Sequence, residues 1–196
     1  MTGLRERKKA ATREALGDAA WSLCVEHGPD SVTVEQIARA AGVSLRTFFN
    51  YFSSKEEAIV AGDAATAVAF LHAFAARPPD EPVLVALRET LHSIYLLQVD
   101  LDRLRQLREL RRHPALVPHF LAAYSAREQE LAAAIAVRCG ADPAVDPYPA
   151  VAASAILSSM RAVVQWWLDT PEAWERHTLA ELVGGMIDQL GAGFTR

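Results

Sequence analysis

The chain has 196 residues, 51% of them hydrophobic, with a net charge of −4 at pH 7 and a pI near 5.9. This length fits one domain or two small ones, and the apolar content excludes an intrinsically disordered protein. The acidic balance excludes a uniformly basic surface, although residues 1–13 carry five Arg or Lys against one Glu. Because no apolar run reaches the length of a membrane span and the N-terminus lacks the apolar core of a signal peptide, we expect a cytoplasmic protein without a membrane partner.

The first predicted helix runs from about Leu4 to His27 and ends at Gly28, which can adopt a left-handed conformation. Its N-terminal turns are basic and include Arg5 and Lys8. Such a segment is either a solubilising terminus or an arm that contacts phosphates, and the charge pattern fits both.

The next stretch predicts two short helices joined by a tight turn. Thr33 is an N-cap residue, and Gln36 three positions later completes a capping box. Gly42 marks the left-handed turn, and Ser44 caps a second helix that would bury Phe48. This order is that of a helix-turn-helix unit, although similar helix pairs occur in helical proteins that never bind DNA.

The segment from Arg5 to Val60 resembles the DNA-binding domain of the tetracycline-repressor-like (TetR) family of bacterial regulators. Three motifs carry the resemblance: Glu26-His27-Gly28 before Thr33-Val34, the run from Ile37 to Ser44, and the run from Thr47 to Phe52 before Ser54-Lys55-Glu56-Glu57. The resemblance implies an all-α fold of about nine helices. An N-terminal three-helix DNA-binding domain would comprise residues 1–53, and a helical ligand-binding and dimerisation domain would comprise residues 54–196.

The resemblance also implies which side chains contact DNA. Phosphate contacts are expected from Arg5, Lys8, Thr33, Ser44, Thr47, Tyr51 and Lys55, and base contacts from Leu45, Arg46, Phe49 and Asn50. The sequence departs from the family at Phe49, where Tyr is common, and at Tyr51, where His is common. The first change removes one polar contact, whereas the phenol of Tyr51 can still donate a hydrogen bond to a phosphate.

Six more helices follow in the sequence, separated mainly by Pro and Gly. We predict them at about Ser54 to Ala75, Pro82 to Val99, Asp100 to Arg112, Ala115 to Cys139, Pro147 to Asp169 and Pro171 to Ala192. The first of these is predicted to run unbroken from the DNA-binding domain into the second domain. Cys24 and Cys139 both lie in apolar helical surroundings, which predicts two buried free thiols.

The central helices are rich in aromatic and polarizable side chains, which form either an ordinary core or the wall of a cavity. The resemblance implies a small-molecule pocket there, with these candidates: Phe70, Phe74, Tyr95, Arg108, His119, Phe120, Tyr124, Met160, Gln165 and Trp166. Five Arg residues between positions 103 and 112 could bind an anionic ligand such as an acyl thioester of coenzyme A. The alternative for this run is a solvated, charge-balanced helix face.

Small residues are frequent in the last two predicted helices, including the pair Gly184 and Gly185. They allow close helix packing, either within the chain or, as the resemblance implies, in a homodimer formed by these two helices. The six histidines show no metal-ligand spacing, and no catalytic, metal-binding or cofactor-binding motif is present. We therefore expect that the protein is not an enzyme.

These observations predict a DNA-binding transcriptional regulator. We expect a repressor that a small hydrophobic ligand, in a class that includes acyl and acyl-CoA-like molecules, releases from its operator. The rival hypothesis is a helical small-molecule carrier or sensor with a degenerate DNA-binding unit.

Overall fold

The structure is a computed structural model that describes residues 3–63, 65–96 and 101–193. Within these ranges the chain is all-helical, as predicted, and contains no strand. The helices are α1 (Leu4–His27), α2 (Val34–Ala40), α3 (Leu45–Phe49), α4 (Lys55–Ala61), α5 (Ala65–Ala75), α6 (Val83–Leu96), α7 (Leu101–Arg112), α8 (Val117–Cys139), α9 (Tyr148–Asp169) and α10 (Leu179–Gly191), with a short 3-10 helix at Pro171–Ala173.

The helices group into two compact units. The first comprises Met1–Thr66 and Glu109–Ala123, and the second comprises Ala67–Arg108 and Tyr124–Arg196. The boundary between functional domains at residues 53 and 54 remains a prediction.

The core of the first unit forms where α1 packs against α2 and α4. Leu16, Ile37, Phe48 and Phe52 are almost completely buried there. Leu16, Ile37 and Phe48 are apolar positions that helical spacing assigns to the inner faces of α1, α2 and α3, whereas Phe52 lies three residues beyond the end of α3. α3, the second helix of the helix-turn-helix unit and its candidate recognition helix, therefore rests on a hydrophobic base that leaves its other faces exposed.

The predicted helix from Ser54 to Ala75 is two helices, so the prediction of an unbroken link is wrong. α4 ends at Ala61, Gly62 and Asp63 form a turn, and residue 64 lies outside the described ranges. A Cβ on Gly62 would overlap the carbonyl oxygen of Gly17 and lie 2.7 Å from the Cβ of Trp21. Because α1 approaches so closely, glycine is required at a position where it also weakens the helix.

The last helix begins at Leu179 and not at Pro171, which corrects a second prediction. The Thr178 side chain accepts a hydrogen bond from the Glu181 backbone amide at 3.2 Å, and the Glu181 carboxylate accepts one from the Thr178 amide at 2.8 Å. The hydrogen bond from the Thr178 amide to the carboxylate, together with the Thr178 hydroxyl, holds the pKa of the Glu181 carboxyl below its usual value. The capping box was present in the sequence and outweighs the helix-start signal of Pro171.

The core of the second unit contains side chains from α5, α6, α8, α9 and α10. Among its most buried members are Phe74, Leu87, Leu131, Ile135 and Ile156. α9 is long and apolar enough to cross a membrane by length and composition alone, so the prediction that no stretch reaches that length is wrong. Core helices of water-soluble proteins also meet this criterion, and α9 contributes buried residues to this core.

The two cysteines differ in environment. Cys24 is buried on α1, and burial raises the pKa of its thiol to about 11, although the charge of Lys55 opposes this shift. Cys139 is exposed, so the prediction of a buried thiol is wrong there. It is the last residue of α8, where the helix ends at Gly140.

Candidate nucleic-acid interface

Local hydrogen bonds fix the two helices of the helix-turn-helix unit. The Thr33 amide donates to Gln36 Oε1 at 2.8 Å, and Thr33 Oγ1 accepts from the Gln36 amide at 3.3 Å, which completes the predicted capping box. Gly42 has φ +67°, in the left-handed region. A Cβ there would meet no atom within 4 Å, so backbone conformation alone favours glycine at the turn.

α3 presents one face to the core and the others to solvent. Ser44 Oγ caps the helix by accepting from the Thr47 amide at 3.1 Å, as predicted. Phe48 is fully buried, whereas Arg46 and Asn50 are exposed. Neither exposed side chain hydrogen-bonds within the part of the chain that the structure describes. Both are therefore available to bind base edges.

An open groove of about 670 Å³ lies between the N-terminal turns of α1 and the recognition helix. Its lining residues are Leu4, Arg5, Lys8, Lys9, Thr12, Thr47, Asn50 and Tyr51. The three cationic side chains are exposed, and no described side chain pairs with them. A positive groove beside the exposed Asn50 amide and half-buried hydroxyl groups suits a DNA backbone.

The groove brings Arg5 and Lys8, predicted from the basic arm, next to three residues predicted from the recognition helix. The groove also contains Lys9 and Thr12, which were not among the predicted DNA contacts. Their signal was available, because positions 5, 8, 9 and 12 have the spacing of one helical face. A count of charges does not reveal which helix this face will meet.

Lys55 lies in a different environment from the other predicted phosphate contacts. Its Nζ donates to the carbonyl oxygens of Pro29 and Val32 at 2.8 and 2.9 Å, in a partly buried site. The ammonium thus ties the start of α4 to the loop between α1 and α2, and only one of its three N–H groups remains for another acceptor. Sequence reasoning missed this role because the partners are backbone atoms more than twenty positions away.

The predicted ligand-binding residues of the second unit lie in three settings. Phe70 and Phe74 are buried and stack with ring centroids 6.5 Å apart, and Met160 packs against the same core. The guanidinium of Arg161 lies 5.0 Å from the ring centre of Tyr124. Trp166 is 49% exposed on α9.

Two polar candidates in the same unit, Arg108 and Gln165, share one partner. Arg108 forms an ion pair with Asp169 at 2.6 Å, and Gln165 donates to the same carboxylate at 2.6 Å. The guanidinium of Arg105 lies 4.6 Å from the ring centre of Trp174. At least part of the Arg run therefore has internal partners.

The remaining candidates do not join this group. His119 is half-buried and Phe120 is buried, and both belong to the first unit. The side chain of Tyr95 lies outside the described part of the structure. The composition of the predicted ligand pocket remains a prediction.

The predicted dimer surface has two notable features. Among the described residues, a Cβ on Gly184 or Gly185 would meet no atom of another element within 4 Å, so close packing against those residues does not explain the two glycines. On α9, large apolar side chains are exposed, with 48% of Tyr148 and 62% of Val151 accessible. Such surfaces are typical of protein interfaces.

Comparisons with known proteins match both parts of the chain. The family "Bacterial regulatory proteins, tetR family" matches residues 16–61, and the family "MftR C-terminal domain" matches residues 81–195. The HTH-type transcriptional regulator TcmR of Streptomyces glaucescens is 33% identical over 173 residues, which cover 84% of this chain and 76% of that protein. The putative mycofactocin biosynthesis transcriptional regulator MftR of Mycobacterium tuberculosis is 29% identical over 196 residues, which cover 97% of this chain and 94% of that protein.

Solved structures share the fold. SmeT, the repressor of the Stenotrophomonas maltophilia multidrug efflux pump SmeDEF, aligns with a TM-score of 0.60 at 20% identity, covering 94% of this chain and 90% of that one. The fatty acid degradation regulator FadR from Bacillus halodurans aligns with a TM-score of 0.57 at 20% identity. The alignment covers 100% of this chain and 99% of that one.

Proposed function

This chain belongs to the tetR family of bacterial regulatory proteins, and from that membership we propose that it is a dimeric repressor released from its operator by a small hydrophobic molecule. Its function as a DNA-binding transcriptional regulator follows from the family. The groove between α1 and α3 supports the DNA-binding part of the proposal. Its exposed Arg5, Lys8 and Lys9 side chains flank the recognition helix. We propose a cytoplasmic location and no enzymatic activity.

In the proposed complex each subunit places α3 in a major groove. Arg46 can donate to guanine and Asn50 can form paired hydrogen bonds with adenine. Thr33 Oγ1 accepts its cap bond from the Gln36 amide, so its hydroxyl hydrogen is free to donate to a phosphate. Two subunits would read the half-sites of a near-palindromic operator about one helical turn apart.

The dimer proposal rests on the outward faces of α9 and α10. Gly185 lies opposite the buried side chains of α10, which include Val183, Met186 and Ile187. The exposed apolar surface of α9 is easier to reconcile with a second subunit than with permanent exposure to water.

The effector proposal rests on the family and on the apolar character of the second unit. We propose a hydrophobic effector, from a class that includes acyl and acyl-CoA-like molecules. The rival hypothesis from the sequence, a carrier with a degenerate DNA-binding unit, predicts no sequence preference on DNA. Selection of binding sites from random duplex DNA separates the two, because a carrier would enrich no sequence.

The effector can be sought by mass spectrometry of small molecules released when the purified protein is denatured. A true effector must bind less tightly in the presence of operator, by the same factor by which it weakens operator binding. For typical coupling this factor corresponds to about 1–3 kcal/mol. A co-purified molecule that binds the protein equally tightly with and without operator DNA would not be the effector.

Arg46→Ala is expected to cost about 1–3 kcal/mol of operator binding and to relax the preference at one base pair of each half-site, because a guanine loses its paired donors. Affinities for all single-base variants of the selected operator measure this. Arg176→Ala, at an exposed position in the second unit, is the matched control. An equal loss for every operator variant would remove Arg46 from the base-reading residues.

Lys55→Met is expected to change stability, and Lys9→Met is expected to change DNA binding. Lys55→Met leaves two loop carbonyls without a donor and should lower the free energy of unfolding by about 1–3 kcal/mol. Lys9→Met should leave stability unchanged and reduce the salt dependence of DNA binding by about one phosphate contact. Urea unfolding and salt titrations of operator binding distinguish the two lysines. The assignment is wrong if Lys55→Met folds as stably as the parent and flattens the salt dependence.

A further inference from the structure

Two large apolar side chains share one exposed face of the recognition helix. Leu45 and Phe49 are one helical turn apart and are 41% and 55% exposed. Neither side chain can donate or accept a hydrogen bond. On a helix that reads base edges they can recognise only an apolar group, and in the major groove that group is the C5 methyl of a pyrimidine.

The ring of Phe49 is held in place from below. It meets Phe48 edge to face, with centroids 5.4 Å apart and planes at 88°. Phe48 is fully buried and lies 5.8 Å from Phe52, over which the Arg13 guanidinium of α1 sits at 4.7 Å. This series of contacts favours one orientation of the exposed ring before DNA binds, which lowers the side-chain entropy lost on binding.

We propose that Leu45 and Phe49 form a methyl-reading pair, which makes operator affinity depend on a 5-methylpyrimidine at one defined position of each half-site. The proposal rests on the proposed function, since it specifies what the recognition helix reads. The polar neighbours Arg46 and Asn50 supply hydrogen-bond readout, and the apolar pair supplies a preference that hydrogen bonds cannot provide. Thymine is the ordinary carrier of this methyl group, and 5-methylcytosine presents the same group.

The first test removes only the methyl group. Each thymine of the selected operator is replaced in turn by deoxyuridine, which keeps every hydrogen-bonding group of the base. We expect one position per half-site at which this replacement lowers affinity roughly fourfold, the effect of one buried methyl group. In Phe49→Ala the same replacement should change affinity by a factor near one, and in Leu45→Ala the effect should be reduced.

The second test supplies the methyl group on another base. At the sensitive position the T·A pair is replaced by C·G and, separately, by 5-methylcytosine paired with G. The methylated duplex should bind the parent protein roughly fourfold more tightly than the unmethylated one, and Phe49→Ala should bind both equally. Asn50→Ala should keep the methyl effect, because it removes a polar neighbour and leaves both apolar side chains in place.

The variants are expected to fold, since Leu45 and Phe49 are exposed and alanine favours helix; circular dichroism checks this. Tolerance of deoxyuridine at every thymine would overturn the inference while leaving operator binding intact. A methyl effect that is equal in the parent and in Phe49→Ala would assign the readout to another residue and also overturn it. If random duplex DNA yields no selected sequence at all, the proposed function fails and the methyl-reading pair fails with it.

Discussion

Gly185→Leu is expected to convert the proposed dimer into monomers and to lower operator affinity by about 10²–10⁴-fold, the advantage that two linked half-site contacts have over one. Gly185 lies on the face of α10 opposite its buried residues, and a Cβ added there would meet no atom of another described element within 4 Å. A leucine should therefore leave the subunit folded and even favour the helix, since glycine costs about 1 kcal/mol in a helix interior. Only a second subunit would oppose it.

Sedimentation velocity and operator titration measure the two effects in the same preparation. Gly185→Ala adds a smaller side chain to the proposed interface, so we expect a smaller shift toward monomer. Ala76→Leu adds apolar surface at an exposed position on neither α9 nor α10 and should remain dimeric. A folded Gly185→Leu dimer with unchanged operator affinity would place the subunit interface elsewhere.

Arg138→Met is expected to lower the free energy of unfolding by about 3 kcal/mol, which corresponds to a loss of at least two charge-assisted hydrogen bonds. The guanidinium on α8 donates to the carbonyl oxygens of Phe74 and Arg77 at 3.1 Å, and also to those of Pro78 and Glu81. It also lies 4.9 Å from the ring centre of Phe74. One side chain thus supplies hydrogen-bond donors to backbone carbonyl groups at the end of α5 and in the loop that follows it.

Chemical unfolding of the full chain tests this role. Arg176→Met is the matched control, because Arg176 is exposed and its side chain makes no hydrogen bond or ion pair among the residues that the structure describes. Arg138→Lys should be intermediate, since an ammonium cannot reproduce the planar fork of a guanidinium. Equal unfolding midpoints for Arg138→Met and Arg176→Met would show that water replaces Arg138 without cost.

The sequence by itself determined the helix-turn-helix unit. Its decisive interactions join residues no more than four positions apart, such as the Thr33–Gln36 capping box and the Ser44 cap. The conformation of Gly42 depends only on its own backbone dihedrals. Because each signal is complete within a few residues, the helix ends and the exposed face of α3 could be predicted without knowledge of the fold.

Local signals also failed where two of them competed or where a distant contact intervened. Pro171 is a common helix start, but the capping box at Thr178 and Glu181 set the beginning of α10. The apolar pattern after Ser54 resumes beyond Gly62 and Asp63 and so suggests one helix, yet the close approach of α1 requires glycine at position 62, and α4 ends at Ala61. Periodicity records which face of a helix is apolar and does not record how near its neighbour lies.

Only the tertiary structure decided how individual charges are used. Lys55 resembles a phosphate contact in sequence, but its ammonium binds loop carbonyls 23 and 26 positions away. Lys9 looks like one more basic residue of the terminus, but packing of α1 against the helix pair places it beside the recognition helix. A side chain carries its charge in the sequence, whereas its partners are mostly backbone atoms and distant residues that folding alone brings within hydrogen-bond distance.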